Sequence, residues 1–174
     1  MILEGHAIYL RSITKQDTSD IIRWRNSENV RRNFIRQELF TQEGHEKWLS
    51  DYIDTGKAVQ FIIVLRAEDK PIGSVYLRDI DEQNRKAEFG IFIGEEEFLC
   101  KGLGTEALRL IVQYGFKNLQ LNKIFLRVFA DNLRAVKSYK KAGFEQEGYF
   151  KQEVRIDTEY RDMIFMAIFQ KNCQ

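Results

Sequence analysis

Apolar positions change their period several times along the 174-residue chain, and each change marks an element. HAIYLRSI, residues 6–13, alternates apolar and polar residues, as a strand does when its side chains point to opposite faces. In TKQDTSDIIRWRNSENVRRNF, residues 14–34, cap-type residues precede Ile21, Ile22 and Trp24, which predicts a helix; TQEGHEKWLSDYI predicts another with Thr41 as its N-cap. From Val59 the period becomes two. VQFIIVLRA, IGSVYLRDI and RKAEFGIFIG, joined by the turns EDKP and DEQN, predict an antiparallel meander, with Pro71 at a strand's first residue, where its missing N–H costs least. Residues 104–118 return to a helical stripe of Ala107, Leu108, Ile111 and Gly115. The strand NKIFLRVFA follows. DNLRAVKSYKKAGF then predicts a short helix with Asn132 as N-cap and Gly143 at its exit, and two strands close the chain. The order β-α-α-β-β-β-α-β-α-β-β implies an α+β architecture in one layered domain spanning 1–174.

Composition narrows the function classes. Twenty-seven basic against twenty-six acidic residues leave a net charge of +1, so no whole-molecule field draws the chain to nucleic acid or an anionic membrane. With no run of about eighteen apolar residues and no basic, apolar leader at MILEGHAIYLRS, the cytoplasm is the expected location. Cys100 and Cys173 are too few for a disulfide framework or a thiolate cage, and both are expected to be free thiols. His6 and His45 stand alone, so structural roles and no metal are expected.

The candidate chemistry begins at FLCKGLGTEAL, residues 98–108. Gly102 and Gly104 ahead of a helix gather backbone N–H groups and the positive end of a helix dipole, an arrangement that suits phosphate. Gly102, Gly104 and Ala107 also match the dinucleotide fingerprint G-x-G-x-x-A, with Asp131 at the end of the next strand. That reading fails on context: the loop follows an antiparallel meander, GEEEFLCK separates strand from glycines, and too little chain remains for a second nucleotide-binding half.

FIGEEEFLCKGLGTEAL resembles the acetyl-CoA loop of the GNAT superfamily of N-acetyltransferases, and VFADNLRAVKSYKKAGFEQEG resembles its second CoA-binding motif. Leu99 stands where many members carry Gln or Arg, a departure shared by members that acetylate ribosomal proteins, polyamines and amino sugars. The resemblance implies a mixed, mostly antiparallel sheet, flanked by helices and splayed between residues 86–93 and 123–130, with acetyl-CoA as co-substrate in the gap. The backbone of Ile91, Phe92 and Ile93 would pair with the pantetheine arm, and Cys100, Lys101, Gly102, Leu103, Gly104 and Thr105 would cradle the pyrophosphate. Asn132 would bind the cofactor and Tyr139 would protonate the departing thiolate; seven residues apart, they share a helix face. Thiol near about 8.5 and phenol near about 10 make that transfer nearly balanced. Glu88, on one strand face with Gly90 and Phe92, resembles the family's strand glutamate and is the expected general base. An acyl-Cys100 intermediate is set aside, because the thiol sits by the phosphate loop and the family transfers acetyl directly.

For the acceptor, RWRNSENVRRNFIR places Arg23, Arg25, Arg31, Arg32 and Arg36 against a single acid, Glu28. Guanidinium forks suit phosphate, which points to an anionic acceptor with Arg31 and Arg32 as its contacts. WRNSENVRR followed by EGHEKW resembles acetyltransferases acting on nucleotide-linked amino sugars, whereas AEFGIFI, LNKIFLRV, EQEG and YRDM resemble spermidine N-acetyltransferase, and Glu95, Glu96 and Glu97 suit a polyamine. The expectation is transfer to a primary amine of a small molecule, first an amino sugar, free or nucleotide-linked, and alternatively a polyamine or a ribosomal-protein N-terminus. A non-catalytic acyl-CoA sensor is the reading from another class, and Tyr139 discriminates against it. The partners implied are that amine and, for self-association, a homodimer, with neither nucleic acid nor membrane.

Overall fold

The computed structural model describes residues 1–173, with side chains through Lys171. Cys173, expected to be a free thiol, therefore lies outside the described side chains; Cys100 is free and exposed. In chain order the elements are β1 (Ile2–Glu4), β2 (Ile8–Ser12), α1 (Thr18–Asn26), α2 (Glu28–Arg31), α3 (Gln42–Trp48), β3 (Val59–Leu65), β4 (Lys70–Asp81), β5 (Lys86–Ile93), α4 (Leu103–Lys117), β6 (Lys123–Phe129), α5 (Leu133–Lys141), β7 (Glu145–Ile156) and β8 (Glu159–Phe169). They form one eight-stranded sheet in the order β1-β2-β3-β4-β5-β6-β8-β7. Every pairing is antiparallel except β5 with β6, whose crossover is the helix α4.

Each sheet face carries its own core. On one, Ala107, Leu108 and Ile111 of α4 pack on Leu10, Leu77, Ala87, Phe89 and Leu126. On the other, Ile21 and Trp24 of α1, Val30 of α2 and Leu49 after α3 pack on Ile62, Val64 and Phe92. Period two in β5 sorts its side chains between them: Ala87, Phe89, Ile91 and Ile93 join the α4 side, and Phe92 the α1 side. Fully buried members such as Leu77, Leu108, Ile111 and Ile62 each contribute about 1.5–3 kcal/mol by leaving water.

Three details differ from the sequence reading. A strand, β1, precedes β2 and pairs with it in a hairpin; its three residues are too short and too exposed to show alternation. The helix expected over residues 14–34 is a 3-10 turn at Lys15–Asp17 followed by α1 and α2, because Ser27 is extended (ψ 142°). The Ser27 hydroxyl donates to the Trp24 carbonyl at 2.8 Å, and its own carbonyl accepts from Val30 and Arg31, ending one helix and starting the next. Pro71 is the second residue of β4, beside a register slip where Val64 faces Pro71 and Ile63 faces Gly73, so its missing N–H falls at an irregularity.

The pairing of β5 with β6 positions the site. It runs only from Lys86–Lys123 to Glu88–Phe125, although β5 continues to Ile93 and β6 to Phe129. Beyond Glu88, β5 follows β4, through Ile91–Val75 and Ile93–Gly73, while β6 follows β8, through Phe129–Met163. The two halves of the sheet twist apart with their own partners and leave facing strand edges unpaired.

Candidate active site

At the head of α4 the backbone turns left-handed twice, at Cys100 (φ 62°) and Gly102 (φ 82°). Gly102 is the N-cap of α4, and its carbonyl accepts from Thr105 and Glu106 at 3.0 and 3.1 Å. Left-handed residues flanking Lys101 turn the amides into a concave surface at the positive end of a 15-residue helix. Gly104 lies over the side chains of Ile91 and Ile93, which seats the loop on β5, and Thr105 Oγ1 meets Ser138 Oγ at 2.9 Å, tying α4 to α5. A cleft of ≈ 660 Å³ adjoins the loop; Lys101, Gly102, Thr105, Arg109 and Lys141 line it together with Glu106, whose carboxylate is held by the His6 and Ala7 amides. Its cations and free helix amides fit the phosphates of CoA.

Tyr139 reaches the gap from α5. Its ring packs edge-on against Phe89 at 5.9 Å and against Phe144 at 6.1 Å. The hydroxyl joins no hydrogen bond among the described residues and is not sealed from solvent. Burial, then the neighbouring Tyr76 phenol, hold its pKa well above the ordinary tyrosine value, so the group stays protonated throughout the neutral range. Tyr76 comes from β4, and burial raises its pKa too. Its ring lies over Gly90, where an added Cβ would fall on the phenol carbon; the glycine makes room for that ring. Asn132 caps α5 as expected, its Oδ1 accepting from Ala135 at 3.2 Å, but its Nδ2 donates to Asn33 Oδ1 at 3.0 Å. The cofactor helix is thereby fastened to the segment after α2.

On the α1 side of β5, Glu88 is 7% exposed and held by two guanidiniums. Arg78 Nε and Nη2 donate to its Oε2 at 3.1 and 2.8 Å; Arg127 Nε donates to Oε1 at 2.9 Å and Nη2 to Oε2 at 3.3 Å. Three of the four N–H donors fall on Oε2 and one on Oε1, so the roughly two lone-pair positions of Oε1 are not both taken. The face is the expected one, and the carboxylate is anchored there between two guanidiniums as an ion-paired triad. Behind it, Trp48 Nε1 donates to Gln60 Oε1 at 2.7 Å, and Gln60 Nε2 to Ser74 Oγ at 2.9 Å, a satisfied polar floor that carries Trp48 against Tyr76.

The five arginines of the acceptor segment separate in three dimensions. Arg23 is bound to Asp20 and Glu95. Arg31 is half-buried at the end of α2, and Arg32 and Arg36 are exposed. Arg25 packs on aromatic rings, its guanidinium 3.4 Å over the Phe34 ring and 5.3 Å from that of Phe40. Sequence reasoning counted Arg25 in the cluster without singling it out and missed Tyr76; the inward i, i+4 row of Ile21 and Arg25 was the available signal. The acids at 95–97 are already engaged: Glu95 with Arg23 and the Trp24 indole N–H, Glu96 with Asn29, and Glu97 with Lys70. They fasten the approach to the phosphate loop.

Residues 7–145 match the family model of the acetyltransferase (GNAT) domain, and the chain belongs to that family. It is an N-acetyltransferase that uses acetyl-CoA as co-substrate, as the loop, the splayed strands and the family together define; the non-catalytic sensor reading is set aside. The chain is 32% identical to spermidine N(1)-acetyltransferase of Escherichia coli K12 over 170 residues, 95% of this chain and 88% of that one. It superposes on the spermidine N-acetyltransferase of Vibrio cholerae, solved with CoA and spermine, with a TM-score of 0.89, 28% identity and coverage of 97% and 98%. A dodecameric structure of the Vibrio enzyme matches with a TM-score of 0.83 at 28% identity, covering 97% of each chain.

Proposed function

We propose that the chain transfers acetyl directly from acetyl-CoA to a primary amine of a small molecule, with the two substrates meeting at the gap between β5 and β6. The observation that carries this reading is the end of strand pairing at Glu88 and Phe125, which leaves the edge of Ile91, Phe92 and Ile93 without a β6 partner, with the Tyr139 ring packed on Phe89 where the pairing stops. Acetyl-CoA supplies an acetyl thioester that an amine can attack. Cys100 to Thr105 would hold the phosphates through backbone amides, with Lys101 as a cation, and the open edge of β5 would pair with the pantetheine arm. Tyr139, kept protonated by burial, donates its proton to the leaving sulfur. Asn132 holds the head of α5 and the Asn33 segment together. Glu88 acts as a positioning residue through Arg78 and Arg127, and the proton of the attacking amine passes to water.

For the acceptor, the relatives support a polyamine, since spermidine and spermine appear in their names. A second reading, an amino sugar, free or nucleotide-linked, is supported by the uncompensated Arg25 on the acceptor side. A homodimer or larger assembly of copies is supported by the Vibrio dodecamer. Release of CoA from acetyl-CoA, measured with separate pools of polyamines, amino sugars free and UDP- or dTDP-linked, and N-terminal peptides, tests the reading. Turnover on small amines is expected. Turnover confined to peptides, or none in any pool, overturns it.

A further inference from the structure

An arginine taken out of water ordinarily finds a carboxylate, because an uncompensated charge loses hydration without recovering it. Arg25 does not. It is half-buried, enters no ion pair or side-chain hydrogen bond among the described residues, and the titratable groups that bear on it are the Tyr76 phenol and the Arg78 guanidinium. Burial lowers its pKa, and Arg78 adds repulsion. Its nitrogens keep contact with solvent while finding no partner among the described residues.

The position is also built. Phe34 stacks under the guanidinium at 3.4 Å, with Phe40 at 5.3 Å. Asn26, next to Arg25, locks the loop that carries both rings: its Nδ2 donates to the Phe40 carbonyl at 2.9 Å and its Oδ1 accepts from the Phe40 amide at 2.7 Å. Asn33 is tied to Asn132 at the head of the cofactor helix. Phe34 in turn meets Phe92 of β5 edge-on at 5.9 Å. A cation held against two aromatic rings, with its N–H fork unpaired among the described residues, is organised to receive a carboxylate or a phosphate. The surrounding charges agree, for Glu88 is the acid held inside and two arginines balance it.

We propose that Arg25 is a specificity residue that grips an anionic group on the acceptor, so that the preferred substrate is a small amine that also bears a phosphate or carboxylate. This rests on the acetyl-transfer reading and decides between its two acceptor classes. A polyamine has no group for the fork, and its ammonium groups would meet like charge.

The test uses matched amines that differ by one anionic group, glucosamine against glucosamine 6-phosphate and cadaverine against lysine, together with a UDP-linked amino sugar and spermidine. kcat and KM are measured for the wild type, Arg25→Met, which keeps the stacked volume, and Arg25→Lys, which keeps the charge without the fork. A preference for the anionic member of a pair is expected, with KM for that member rising roughly ten- to hundredfold in Arg25→Met, partial recovery in Arg25→Lys, and no matching rise in KM for acetyl-CoA. The phosphate and carboxylate pairs separate the two anion sources. Spermidine exceeding every anionic amine in kcat/KM, or an anionic preference that persists in folded Arg25→Met, overturns the proposal. Calorimetric titration of the anionic amines into the CoA-loaded protein judges it independently of turnover. Binding lost in Arg25→Met supports the anion grip even where no amine is acetylated, an outcome that would sink the acetyl-transfer reading alone; equal binding by both proteins rejects the grip.

Discussion

Tyr139→Phe removes one oxygen and leaves the ring against Phe89 and Phe144. Because the hydroxyl joins no hydrogen bond among the described residues, the substitution strands no buried partner, and the stability change should stay within about 0.5 kcal/mol. The kinetic effect should be much larger. General acid catalysis contributes about a hundred- to ten-thousandfold, equivalent to about 2.7–5.4 kcal/mol of barrier. Burial refines the expectation in one respect. A thiol near about 8.5 and a phenol raised above about 10 make complete transfer uphill by more than about 2 kcal/mol, so the phenol serves first as a hydrogen-bond donor to developing negative charge on sulfur. The raised value also keeps the acid protonated, so Tyr139 should produce no falling limb in the kcat profile below about pH 10. CoA release under saturating acetyl-CoA and the best acceptor gives kcat; titration calorimetry gives the affinity for acetyl-CoA. A hundredfold loss in kcat with unchanged affinity is expected. A kcat within threefold of the wild type would refute the assignment of Tyr139 as the acid.

Gly102→Ala forces an L side chain to φ 82° in a place with open space around it, so strain rather than collision sets the cost, about 1–2 kcal/mol; a several-fold weaker affinity for acetyl-CoA with little change in acceptor KM should follow, and intact affinity would remove the loop from the cofactor site. Glu88→Gln leaves Arg78 and Arg127 without their shared anion; with these side chains about a third exposed, solvent screens part of the loss, and a lower melting temperature equivalent to about 1–3 kcal/mol is expected with less than a tenfold fall in kcat. A folded Glu88→Gln that loses a hundredfold in kcat would restore Glu88 as the base. His45 is fully buried, its Nδ1 3.0 Å from Thr18 Oγ1 and its Nε2 without a partner among the described residues, and burial lowers its pKa. The unfolded chain takes up this proton first, so stability should be full above about pH 6.5 and fall as pH drops below it. Thermal melts from pH 8 to pH 5 should show that slope, and His45→Phe should flatten it; an unchanged slope would assign it to other groups.

The sequence by itself determined the meander, the helix α4 to within one residue at each end (104–118 read, 103–117 found), both caps at Thr41 and Asn132, and the glycine loop, because each depends on contacts within a few residues: period, cap chemistry and a left-handed backbone. It placed Glu88 on the correct face and Tyr139 on the correct helix for the same reason. It did not reveal what those side chains would meet. Glu88 is closed by Arg78, a cross-strand neighbour on β4, and by Arg127, 39 residues away on β6; no local pattern joins them. Asn132 donates one Nδ2 hydrogen to Asn33, 99 residues earlier. The Ser27 break could have been read from a serine followed by Glu28 at a helix start, but apolar periodicity runs through it. Five arginines in a row of fourteen residues look alike in one dimension. Only tertiary packing sends Arg23 to its acids, leaves Arg32 and Arg36 in solvent and folds Arg25 between two phenylalanines, because burial and pairing are properties of surroundings that the chain assembles from distant segments.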